Sequence, residues 1–160
     1  MRRGGRRARI ALAVTLAVAP LLGAPAAGAA AKTPAERAFI KAYTALVPSL
    51  NRVSGAIITD TQNAGKLTDA QVATVFTGLA RRWTTATTPF IKLKPPAAYA
   101  AAFTAAAGHV APIERDLLAT ADAGRTHNAT AGNRAGRRLA LDFNALGVAI
   151  TKLKRLLGLP

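Results

Sequence analysis

One apolar rhythm, repeated four times, limits what this chain can become. Phe39, Tyr43, Leu46, Leu50, Val53 and Ile57 are spaced 4-3-4-3-4. The spacing recurs in Val72, Phe76, Leu79, Trp83, Ala86 and Phe90, again in Tyr99, Phe103, Ala106, Val110, Ile113 and Leu117, and finally in Leu139, Phe143, Leu146, Ile150, Leu153 and Leu157. Steps of three and four keep side chains on one side of an α-helix, whose turn is about 3.6 residues. A helix with one apolar stripe must bury it against another, so four such stripes on short links predict an all-α fold, an antiparallel up-down-up-down four-helix bundle. The same stripes suit an elongated pair of helical hairpins that completes its core by dimerising, so monomer and dimer both remain compatible with the pattern.

The helix ends are marked by local chemistry. Thr33-Pro34-Ala35-Glu36 and Thr68-Asp69-Ala70-Gln71 read as capping boxes, in which the hydroxyl and the side chain three residues on each satisfy the other residue's amide. Gly65 offers a left-handed stop for helix one, Gly124 for helix three and Gly158 for helix four. Lys94-Pro95-Pro96 ends helix two, because residues before proline avoid helical geometry. The expected helices span about 34–63, 69–93, 97–123 and 127–157. Pro48 and Pro112 fall inside helices one and three and predict kinks at similar depth. Gly132 and Gly136 predict close approach of helix four to a neighbour.

Ahead of the bundle stand Arg2, Arg3, Arg6, Arg7 and Arg9, an apolar run from Ile10 to Ala19, and a small-residue stretch from Gly23 to Ala31 broken by Pro25. That order is the order of a signal peptide, with cleavage expected after Ala29 or Ala31. Residues 1–31 are therefore read as a leader and 32–160 as the mature bundle, secreted or extracytoplasmic and associated with the cell envelope, without a transmembrane segment once the leader is removed. The chain has no cysteine, which excludes a lipidated amino-terminal Cys, disulfides and thiolate metal sites.

Charge bounds the partners. Of 22 Lys and Arg the leader takes five, leaving 17 against seven Asp and Glu, a net of +10 for residues 32–160. Such a domain is attracted to anionic polymers and acidic surfaces. Arg81, Arg82, Arg134, Arg137 and Arg138 fall at comparable heights in an up-down bundle and form a candidate anion-binding belt, although Arg138 also has Asp142 one turn on as an intrahelical partner. Nucleic acid is not expected as a partner, since export removes the protein from the nucleoid and no aromatic residues interleave with the bases.

Chemistry finds little to use. The two histidines, His109 and His127, lack the paired carboxylates of a ferritin-like site, and the only methionine is Met1. Ser49 and Ser54 have no nucleophile setting. No enzyme, metal or cofactor is expected. The second functional reading is a carrier for a small apolar ligand, using a cavity between the two kinked helices lined by Tyr43, Thr44, Trp83, Gly108 and His109.

The arginine leader, the alanine-rich helices, Leu93-Lys94-Pro95-Pro96, the Ala-Asp-Ala-Gly at 121 to 124 and the closing Leu157-Gly158-Leu159 together resemble the small secreted helical proteins of high-GC Gram-positive bacteria. The resemblance implies an all-α fold and an extracytoplasmic address. The leading expectation is thus a non-enzymatic exported bundle that binds an anionic envelope polymer or a protein surface.

Overall fold

A computed structural model describes residues 31–160; residues 1–30, on which the expected leader falls, lie outside the described residues. Five helical segments follow one another: α1 Pro34–Asn63, α2 Asp69–Ile91, α3 Ala97–Ala107, α4 Val110–Arg125 and α5 Ala129–Leu157. They pack as the expected all-α bundle of four rods, with α3 and α4 in line as its third. Antiparallel order shows in the pairs that meet: Tyr43 with Phe90, Thr84 with Glu114, and Arg138 with Asp116.

Both capping boxes form. The Glu36 amide donates to Thr33 Oγ1 at 3.2 Å and the Thr33 amide to Glu36 Oε2 at 2.8 Å; Gln71 and Thr68 repeat the exchange at 3.3 and 2.8 Å. Each box satisfies amides that the first helical turn leaves without partners. Gly158 takes the left-handed cap (φ 71°), with Leu159 donating to the Lys154 carbonyl. Gly65 does not: α1 runs instead into a 3-10 turn over Ala64–Lys66.

The third rod corrects the expected single helix over 97–123. Pro112 has no amide to give the Gly108 carbonyl, and its ring crowds that carbonyl. Gly108 is itself a poor helix former. The chain therefore breaks at Gly108–His109 and restarts as α4, where Pro112 occupies the first turn and needs no donor. The buried Trp83 indole then donates to the Val110 carbonyl at 2.9 Å. Pro48, by contrast, is exposed within an unbroken α1.

Gly124 is not a terminator but a contact point. A Cβ there would stand 2.6 Å from the Asp69 carbonyl oxygen and 2.9 Å from the Ala73 nitrogen, so α4 crosses the start of α2 at backbone distance. The left-handed residue closing α4 is His127 (φ 52°), whose amide reaches Gly124 while Asn128 reaches Ala123, a Schellman arrangement. Gly132 and Gly136 are both buried in α5.

Among the described residues the buried core runs from Phe39 to Leu157. Phe39, Tyr99, Phe103 and Phe90 make an aromatic cluster at the α3 end, with centroids 4.9 to 5.8 Å apart, and Trp83 meets Phe143 at 5.5 Å nearer the break.

Candidate functional site: an arginine-lined groove

Between α1 and α2 the surface opens into a groove of about 820 Å³. Its floor is small and apolar: Val53 and Ala56 from α1, Val75, Gly78 and Ala86 from α2. Its rim carries Arg52, Arg81 and Arg82 with the hydroxyls of Ser49, Thr74 and Thr85, and a single carboxylate, Asp60. Helical spacing explains the assembly. Arg81 and Arg82 lie three and four residues after Gly78, on the same face, while Arg52 and Arg82 each immediately precede a buried stripe residue, Val53 and Trp83. A Cβ at Gly78 would meet nothing within 4 Å, which is why the floor is low at that point.

Electrostatically the groove is unbalanced. Arg82 approaches Asp60 at 4.0 Å, the arginine exposed and the carboxylate partly so, a pairing worth about 0–1 kcal/mol and readily exchanged. Among the described residues Arg52 and Arg81 make no ion pair. The carboxylates elsewhere are already engaged: Glu36 in its cap, Asp69 with His127 at 2.8 Å, Glu114 with Thr84 at 2.7 Å, Asp116 with Arg138 at 2.9 Å, Asp122 with Arg125 at 3.3 Å and Asp142 with His109 at 3.7 Å. Most of the cationic excess therefore faces solvent.

The five arginines expected to form one belt divide. Arg81 and Arg82 line the groove; Arg134 and Arg137 are exposed on α5; Arg138 reaches across to α4, its Nε donating to the fully buried Asp116 rather than to Asp142. Asp116 Oδ2 is buried without a partner, so Arg138 supplies the compensation this carboxylate has. Arg52 lies outside the belt that comparable height in the bundle suggests; its signal in the sequence is the offset from a stripe residue that it shares with Arg82.

The five residues of the expected cavity do not close around one interior space. Tyr43 and Trp83 are core, while Thr44 and Gly108 face solvent and His109 is half-buried beside Asp142. Desolvation in the core raises the Tyr43 phenol above its ordinary value of 10.0. Burial, and then the charge and hydrogen bonding of Glu36, raise Tyr99 as well. Among the described residues no group of three or more His, Asp or Glu is placed to hold a metal ion.

Comparison with protein-family models, with curated proteins and with solved structures found no match for this chain.

Proposed function

We propose that this chain is an exported, non-enzymatic helical bundle that binds an anionic component of the cell envelope, an acidic polymer or an acidic protein surface, through the groove between α1 and α2. The observation that carries the reading is the convergence of Arg52, Arg81 and Arg82 on one recess opposed only by Asp60. Guanidinium groups bind carboxylates and phosphates through two parallel hydrogen bonds, and three of them along a groove suit a ligand with repeated negative charge. The Ser49 hydroxyl adds a neutral donor at the same rim, whereas those of Thr74 and Thr85 already donate to the Ala70 and Arg81 carbonyls. Export rests on the arginine and apolar order of the leader.

A salt titration of residues 32–160 on an immobilised polyphosphate or polyglutamate tests the reading. Binding weakens with ionic strength if exposed charge drives it. The variant R52E/R81E/R82E loses at least about tenfold in affinity, whereas R134E/R137E, which removes fewer charges and none from the groove, changes it by roughly threefold or less. Salt-insensitive binding, or equal losses per charge in both variants, removes the groove from the account.

A further inference from the structure

α5 presents a second surface that shares nothing with the groove. Helical spacing puts Arg134, Arg137, Leu141, Val148, Lys152 and Arg155 on one outward face, and all six are exposed. No carboxylate interrupts it, because the one acidic residue of α5, Asp142, turns towards His109 of α4 at 3.7 Å. Leu141 and Val148 are 69% and 73% exposed, more than the other exposed large hydrophobics of the bundle. Single exposed apolar residues are ordinary. These two are seven positions apart, two turns along the same face and about 10 Å from each other. Two cations stand before them and two after.

We propose that this face of α5 seats the bundle on an anionic lipid bilayer, with Leu141 and Val148 entering the boundary between headgroups and acyl chains and the four cations among the headgroups. The shape and the charge select this occupant. The face is a convex ridge whose apolar side chains project, so it offers no recess to a partner helix, while a soft plane accepts both knobs and cations at once. Arginine and lysine stems lie along apolar surface with their charges at headgroup level. The contact is peripheral: no helix among the described residues is long and apolar enough to cross a membrane. It rests on different residues from the groove, so either reading can fail alone.

Sedimentation of residues 32–160 with vesicles tests it. Binding to phosphatidylglycerol-containing vesicles and none to pure phosphatidylcholine is expected, since each cation near an anionic surface contributes about fivefold. L141S/V148S, which alters only exposed positions, keeps the helical circular dichroism and melting temperature but lowers vesicle partitioning at least about tenfold. R134Q/R137Q lowers it roughly twentyfold. R52A/R81A/R82A, none of whose positions lies on this face, lowers vesicle binding less than R134Q/R137Q does although it removes one more charge. No affinity for anionic vesicles, or undiminished binding by L141S/V148S, overturns the proposal. So does soluble polyglutamate bound with the same dependence on Leu141 and Val148, which would identify an acidic protein instead.

Discussion

The groove between α1 and α2 and the outer face of α5 use the same cationic side chain on opposite shapes. In the groove, Arg52, Arg81 and Arg82 stand above a floor of Val53, Ala56, Val75, Gly78 and Ala86, so the positive charge surrounds a recess. On α5 the arginines lie beside Leu141 and Val148, which project past the helix surface. Small residues between the cations make a place for something to enter; large apolar ones make something that enters. The residues between the charges, more than the charges, decide what kind of partner each region suits.

Arg138 is the sharpest way to break this comparison, because it sits on α5 beside the outer face yet serves the interior. R138A strands the fully buried Asp116 and is expected to lower unfolding free energy by about 3 kcal/mol, measured by denaturant titration. R137A and R81A change it by about 0.5 kcal/mol or less. Should R138A behave like R137A, the arginine belongs with the surface after all.

Two glycines give the next largest effects, and with opposite sign. G124A drives a methyl into the backbone of Asp69 and Ala73 and costs about 1–3 kcal/mol. G78A meets only open space and stabilises by roughly 0.5–1 kcal/mol through helix propensity, while raising the groove floor. A destabilised G78A would mean that the recess is already filled by its own walls. Melting temperatures of the two variants, measured side by side, decide it.

The smallest effect is alkaline. Tyr43 and Tyr99 have phenols raised in the folded state, chiefly by burial, with Glu36 adding to Tyr99. The neutral form is the one the fold favours, so their contribution is fully present below the ordinary value near 10.0 and is lost as pH rises through the raised values. The double variant Y43F/Y99F is therefore expected to lose less stability between pH 9 and pH 11 than the parent, by urea unfolding at each pH. Neither surface should change, since both phenols lie in the core.

What could be read from the chain was what depends on near neighbours. Thr33 with Glu36 and Thr68 with Gln71 lie three residues apart, and each pair closes its box as the spacing implied. The stripes too are local, and they delivered the bundle. The break at Gly108–His109 is hidden because the stripe passes straight through it: Ala106, Val110 and Ile113 keep their spacing while the helix between them is interrupted. Gly124 was legible as a glycine that matters but not as a crossing point, because the Asp69 carbonyl it accommodates is 55 positions away. Arg138 was given the partner one turn on, Asp142, and took Asp116 across the interface, where a buried carboxylate needs a cation more than a half-exposed one does. The belt failed as a single feature for a related reason. Height along a rod follows from position in the sequence, whereas the side from which a residue faces outward depends on which neighbours cover the rest.

The interrupted third rod also bears on how the bundle opens. α3 has no helical hydrogen bonds continuing into α5's other neighbour, α4, apart from the turn at Gly108 and His109. Its hold is an aromatic cluster, Tyr99 and Phe103 against Phe39 and Phe90, together with packing on α5. α4, in contrast, is gripped by α2 and α5 together and by the backbone crossing at Gly124. The expected consequence is an order of opening, read by amide hydrogen exchange: the eleven-residue α3, held from fewer sides, loses protection before α4 does.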